Sequence, residues 1–367
     1  MSGDIILVIV VGTALAFDFT NGFHDTANVV ATSISTRAIG PKRAVVLASL
    51  LNFAGAFISL KVASTVGKGF VSTHAVTTTV VFAGLVGAIG WNLITWYFGL
   101  PSSSSHALIG GLVGAVIAAT GTAAVSGDGL LSKLILPAIV APLIAFTTAG
   151  ISILIVYRML ARLRPGPVNR SFRLGQLVSG GMLALSHGTN DAQKTMGVIT
   201  LALIAHGDVA SKGFHVPDWV VITAASSIAL GTLTGGWRII KTMGSRIIKM
   251  DPAQGFAAQG AGTAVILAAS TVGYPLSTTH VISGGITGAG AAKSLSAVRW
   301  GVAGNIVTAW VLTLPAAGAF AALVYGISRL FGTGATGPII VTAMLLIALT
   351  AVFTRRVQQA TPAPTTP

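Results

Sequence analysis

A chain of 367 residues that is 53% hydrophobic and 8% charged, with a mean hydropathy of +0.84, lies far from the roughly 25% charged content of a soluble domain and has to be dissolved in lipid. The absence of Cys excludes disulfides, thiolate metal sites and a Cys nucleophile. The formal charge of +14 would suit a nucleic-acid partner in a soluble protein, but here the basic residues fall in short stretches between apolar runs, where they set membrane orientation instead.

In chain order, Met1-Ser-Gly-Asp4 lacks the basic start and cleavage site of a signal peptide, so Ile5–Phe17 is expected to be the first half of a retained helix. Apolar runs follow at Ala44–Leu60, Thr78–Phe98, Leu134–Val156, Trp219–Ile240 and Gly301–Tyr325. Each comes near the length of about 20 residues that a transmembrane helix needs, and with shorter runs the chain offers roughly ten crossing or entering segments. The expected fold class is an all-α polytopic membrane protein. Arg158, Arg162, Arg164, Arg170 and Arg173 form the densest basic stretch, interrupted by Pro and Gly and free of acids. It is expected to be a cytoplasmic linker over 158–173, dividing halves at 1–157 and 174–330. A further transmembrane helix is expected over 331–354, and a disordered Thr- and Pro-rich tail over 355–367.

The halves carry the same two motifs in the same order. Asn21-Gly-Phe-His-Asp25-Thr-Ala-Asn28 answers to His187-Gly-Thr-Asn-Asp191-Ala-Gln-Lys194, and Pro101-Ser-Ser-Ser-Ser-His106 answers to Pro275-Leu-Ser-Thr-Thr-His280, each of the second pair followed by an apolar run with a Gly-Gly step. This is an internal duplication. Placing Arg158–Arg173 inside also places Arg37, Lys42, Arg43, Arg238, Lys241, Arg246, Lys249, Lys293, Arg299, Arg355 and Arg356 inside, leaving Lys61, Lys68, Lys133, Lys212 and Arg329 outside and Lys194 in the membrane. That assignment needs Pro101 and Pro275 at the tips of two re-entrant hairpins entering from opposite sides, which makes the duplication an inverted repeat.

Asp25 and Asp191 lie within apolar runs, where a charge costs about 2.5 to 3.5 kcal/mol even on lenient insertion scales. The flanking Gly and Asn residues disfavour continuous helix, so a broken helix is expected at each motif. Carbonyls, carboxylates and amides, including Asn28 and Asn190, would then converge on a coupling cation. A kinked helix with a hydrogen-bonded Asp is the plainer explanation, but two independent kinks would not need the same residues. Ser103, Ser104, Ser105 and Ser277, Thr278, Thr279 open apolar segments just after Pro. They read as helix N-termini whose N–H groups and hydroxyls suit an oxyanion; helix capping alone would use a single Ser. His24, His106 and His280 are candidates either for proton carriage or for tying the hairpins to neighbours. Lys194 stands where the first half has Asn28, and could neutralise Asp191, approach the oxyanion, or snorkel from a helix end.

These motifs, with Trp91–Leu100 and Ala309–Pro315, resemble the inorganic phosphate transporter (Pit) family over about residues 15 to 330. The resemblance implies an inverted-repeat secondary transporter of the plasma membrane, commonly dimeric, in which the paired Asp motifs bind coupling cations and the paired Pro-Ser motifs hold phosphate. Its sodium-coupled members carry Gly-x-Asn-Asp-x-x-Asn in both halves. This sequence departs from that pattern at His24 and Lys194, and looks like the bacterial low-affinity group, similar to a proton symporter of metal–phosphate complexes. The expectation is therefore a proton-coupled symporter of inorganic phosphate, free or as a metal complex, with no cofactor. Sodium coupling, or sulfate in place of phosphate, are the alternatives. A membrane Ser hydrolase is disfavoured, since no Gly-x-Ser-x-Gly elbow is present and the hydroxyls come in symmetric pairs.

Overall fold

The computed structural model describes residues 2–210, 214–332 and 334–360. In order, the helices are α1 (Ser2–Ser35), α2 (Pro41–Gly55), α3 (Lys61–Lys68), α4 (Thr78–Phe98), α5 (Ser104–Thr120), α6 (Gly127–Leu130), α7 (Leu136–Leu160), α8 (Pro165–His206), α9 (Asp218–Thr234), α10 (Trp237–Lys241), α11 (Pro252–Val272), α12 (Thr278–Lys293), α13 (Trp300–Leu330) and α14 (Thr336–Ala360). Among the described residues there is no strand, only one antiparallel bridge between Val71 and Val125. Among the described residues, five helices are by length and composition able to cross a membrane, or six if α9 and α10, bent by 60°, count as one. The count falls below ten because α2 and the short hairpin arms lack length and α8 carries the polar motif.

α4–α5 and α11–α12 fold as two helical hairpins whose tips are built alike. Gly99 (φ 66°) and Gly273 (φ 85°) end the first arms in the left-handed conformation, which costs Gly nothing. Leu100 and Tyr274 then donate their N–H groups back to Thr95 and Ala269, each at 2.9 Å. After Pro101 and Pro275, Ser103 and Ser277 cap the second arms by accepting the N–H groups of His106 and His280. The base of the first hairpin is closed by the Val71–Val125 bridge. The second is tied by Lys293 to Asp251 at 3.7 Å and by the Gln254 amide donating to the Ala289 carbonyl at 3.0 Å.

Each hairpin is clasped by a helix from the other half of the chain. α7 lies along α12, where Gly284 and Gly288 sit against the backbone of Pro142 and Phe146. α13 lies along α5, where Gly110 and Gly114 sit against Leu314 and Gly318. A side chain at any of these four glycines would strike backbone, so small residues set the close approach. α7 starts beside the base of the first hairpin, where Gly129 of α6 meets Gly69, and reaches the base of the second, where Tyr157 donates to Asp251 at 2.7 Å. Twenty-five residues of helix are about 37 Å long, so the bases lie at opposite ends of the molecule and the tips point at one another.

Two sequence expectations change. The helix is not broken at either Asp motif: α1 and α8 run through them without interruption. Gly22 and Gly188 serve packing instead. A Cβ at Gly22 would meet the α9 backbone at Ile228 and Gly231, and one at Gly188 would meet Asn52 of α2. The break lies elsewhere, at the α9–α10 bend. The basic stretch 158–173 is also largely helical, with α7 ending at Leu160 and α8 starting at Pro165, a position where Pro is favoured. Its five Arg are all exposed. At the C-terminus α14 continues to Ala360, past the boundary expected at 354, and the remainder of the tail lies outside the described residues, as does Lys212.

Candidate functional site

α1 and α8 cross antiparallel, and their motifs form one polar layer between two apolar clusters. On α1 the layer runs from Asp18 to Asn28, after Phe17 of one cluster and before Val29 of the other. On α8 it runs from Ser186 to Thr195, between Leu183–Ala184 and Met196. The antiparallel register places Asn21 against Asp191, its amide donating at 3.5 Å, and brings Asp25, His187 and Asp191 within 4.8 Å of one another. A helix presents residues i, i+3, i+4 and i+7 on one face, so Asp18, Asn21, Asp25 and Asn28 line one side of the seam.

Both hairpin tips close on this layer. The Ser104 hydroxyl donates to Asp25 Oδ2 at 2.8 Å, with the Thr278 hydroxyl at 3.4 Å from the same oxygen. Asn28 Nδ2 donates to Thr278 Oγ1 at 3.2 Å and to Thr279 Oγ1 at 2.9 Å. The tips touch each other where the Ser105 hydroxyl donates to the Leu276 carbonyl at 3.1 Å. Lys194 sits at that junction, donating to Asp191 Oδ1 at 2.7 Å, Ser105 Oγ at 2.5 Å and the Leu276 carbonyl at 2.8 Å. Three acceptors use all three ammonium protons, and the side chain is 1% exposed, so Lys194 does not snorkel.

Asp25 is held by His24, whose Nδ1 lies 2.7 Å from Oδ1; a donating Nδ1 leaves Nε2 to accept from Thr95 at 3.2 Å or Ser102 at 3.3 Å. Asn190 turns out of the layer, donating to Ser270 at 2.8 Å and to the Tyr274 carbonyl at 3.1 Å, which ties α8 to the second tip. Ser103 and Ser277 are the caps already described, so the hydroxyls that face the layer are those of Ser104, Ser105, Thr278 and Thr279. His106 and His280 pack ring to ring at 4.7 Å, and His280 stacks on Trp310 at 3.9 Å and meets the Ala138 carbonyl. They lie behind the tips, at the floor of an apolar groove of about 590 Å³ between α7, α12 and α13.

Three contributors to the site were not singled out from the sequence: His187 beside Asp191, the Thr95–Ser102 pair that supports His24, and Gln193, whose side chain accepts the Val62 and Ala63 N–H groups at the start of α3. The buried Asp18 beside them was not singled out either. His187 and Gln193 lie inside the duplicated motif and could have been named from it. Asp18 has no acidic counterpart in the second half, where the equivalent position is Ala184, so a search for repeats passes over it. As potential cation ligands the layer offers Asp25, His187 and Asp191, one imidazole and two carboxylates, a mixture that hard and borderline divalent ions accept.

Residues 21–321 match the profile of the Phosphate transporter family. The chain belongs to that family. It is 50% identical over 350 residues to the "Probable low-affinity inorganic phosphate transporter" of Mycobacterium tuberculosis (strain ATCC 25618 / H37Rv), covering 95% of this chain and 84% of the relative. It is 52% identical over 321 residues to the protein of the same description in Rhizobium meliloti (strain 1021), covering 87% and 96%. A solved structure described as the sodium-dependent phosphate transporter superposes with a TM-score of 0.78 at 26% identity, covering 89% of this chain and 99% of that one. This phosphate transporter is therefore a multi-pass protein of the plasma membrane, with apolar helices exposed on the outer faces of α7 and α13, and it is a carrier, not an enzyme.

Proposed function

We propose that the transporter is a symporter that couples inorganic phosphate, free or bound to a divalent metal, to protons, on an inverted repeat whose two hairpins re-enter the membrane from opposite sides. The observation that carries the coupling is Lys194, a fixed ammonium bonded at once to Asp191 and to both hairpin tips. A permanent cation in that position takes the place a bound sodium ion would occupy, while carboxylates and imidazoles in the same layer can still load and release H⁺. The oxyanion is assigned to the facing starts of α5 and α12, where Ser104, Ser105, Thr278 and Thr279 add hydroxyl donors to two positive helix ends.

Coupling follows from the distances. Ser104 donates to Asp25, so an oxyanion accepting from the same hydroxyl arrives close to that carboxylate. Two unit charges about 4 Å apart repel by about 4 kcal/mol at an effective dielectric constant of 20, and a phosphate dianion by twice that. Phosphate and a neutralising proton on the Asp25–Asp191 layer are thus bound together or not at all. A divalent ion travelling as part of the cargo would meet Asp25, His187 and Asp191 in the same layer.

Purified protein in liposomes should accumulate phosphate when the outside is made acid and no sodium is present. Accumulation that requires a sodium gradient and ignores pH would overturn proton coupling; this is the outcome the solved relative's sodium dependence would favour. Ser104→Ala and Thr278→Ala should each raise the apparent KM for phosphate about tenfold with little change in maximal rate, since a hydrogen bond to a charged group contributes about 1.5 kcal/mol or more. An unchanged KM in both variants would remove the oxyanion from the tips.

A further inference from the structure

Of the three acids in the polar layer, two have partners. Asp25 is bonded by His24 and Ser104, and Asp191 by Lys194. Asp18, two turns before Asp25 on the same face of α1, is 0% exposed, and neither carboxylate oxygen has a hydrogen-bond partner among the described residues. Its polar neighbours are Asn21 on its own helix and Thr195 on α8. Asn21 Oδ1 and Thr195 Oγ1 are likewise buried and unpartnered. The ammonium of Lys194 is already saturated by three acceptors. An ionised carboxylate in this position would be a buried charge with only the neutral Thr195 and Asn21 side chains beside it and no ion-pair partner of its own, a condition that proteins relieve by neutralising the group.

We propose that Asp18 is a further proton-binding site of the transport cycle, distinct from the duplicated Asp pair, holding its proton in the closed arrangement of the tips and releasing it when α1 and α8 part to admit water. This rests on the proton-coupled reading above and adds to it a proton site outside the duplicated motifs. The charged and titratable groups near Asp18 lie on two elements, α8 and α1. Across the seam these are Asp191 and Lys194 of α8, with His187 one turn beyond Asp191; on α1 itself they are His24 and Asp25. α9, bonded to the same stretch of α1 by Ser227 donating to the Leu15 carbonyl at 2.6 Å, has no ionisable side chain after Asp218, and α4 has none before Tyr97. Lys194 is the one permanent cation among these groups, and its three protons are directed at other acceptors. The step conserves charge: Asp18 COOH gives carboxylate and H⁺ on the side to which the layer opens, and the reverse on the other.

Asp18→Asn keeps the shape of the protonated acid and cannot titrate. In liposomes the variant should still exchange internal for external phosphate, but with a flattened dependence on pH. At an imposed gradient of one pH unit its steady-state accumulation ratio should fall about tenfold below wild type, the contribution of one lost proton. The infrared band of a protonated carboxylic acid, present in wild type at neutral pH, should be missing from the variant whatever its transport. Full accumulation in Asp18→Asn from a wild type driven by pH defeats this proposal alone, and so does a variant that loses exchange as well as accumulation, because Asp18 would then belong to binding or to folding. An unchanged infrared band also defeats it. A wild type that accumulates phosphate only on a sodium gradient defeats the proton-coupled reading and this proposal together.

Discussion

Asp25→Asn should reduce pH-driven phosphate accumulation to the level of liposomes without protein, a loss of at least about 100-fold, while the purified variant still elutes and melts as a folded protein. The asymmetry comes from its surroundings. An Asn at position 25 keeps an acceptor oxygen for one of Ser104 and His24 and presents its amide N–H to the other, whose hydroxyl or ring nitrogen can turn to accept, so the fold loses little. On the proposed proton coupling, transport in contrast loses a charge that has to be neutralised each time phosphate enters, and with it the link between proton and anion. Asp191→Asn should be equally inactive but also less stable, because it leaves the Lys194 ammonium buried without its carboxylate. Removing one partner of a buried pair costs about 3 to 5 kcal/mol. Uptake in flux assays and thermal melting by tryptophan fluorescence separate the two effects, and accumulation retained in both variants would show that these acids are not the coupling groups.

Lys194→Asn should lower the melting temperature by about 10 °C and abolish pH-driven uptake. The substitution restores the residue that the first half carries as Asn28, yet it leaves Asp191 unpaired at 0% exposure and removes the donor that joins Ser105 to the Leu276 carbonyl across the tips. At about 2 to 4 °C per kcal/mol, the scale of globular domains of about 150 to 250 residues, the loss of a buried ion pair accounts for the shift. The double variant Asp191→Asn/Lys194→Asn should recover most of the melting temperature while remaining inactive, since neither buried charge is then stranded. A single variant with wild-type stability and wild-type uptake would place the ammonium outside the site. Equal melting temperatures for the single and the double variant would show that the pair is not what destabilises the single variant.

The sequence alone determined the class of molecule and the duplication, and it drew attention to most of the residues that the structure gathers into the polar layer. A composition with 8% charged residues leaves lipid as the only solvent, and a rare acid in an apolar run, repeated with the same neighbours, has no economical explanation except a shared chemical task. The hairpin tips were legible because turn chemistry is local: Gly99-Leu-Pro101 and Gly273-Tyr-Pro275 carry their conformational demands within five residues, and Ser103 and Ser277 cap within three. What only the tertiary structure decided concerns groups brought together from distant parts of the chain. Gly22 and Gly188 look from the sequence like helix breakers, but their backbones are spent on close contacts with α9 and α2, and main-chain hydrogen bonding keeps both helices whole. The antiparallel crossing of α1 and α8 put His187 beside Asp25, and the two hairpin tips, with Asp191 on its own helix, saturated Lys194 with acceptors. Asp18 was visible as a letter but not as a problem, because a carboxylate becomes a problem only when it is known to be buried without a hydrogen-bond partner and with the nearby ammonium already engaged, and that is a property of packing rather than of sequence.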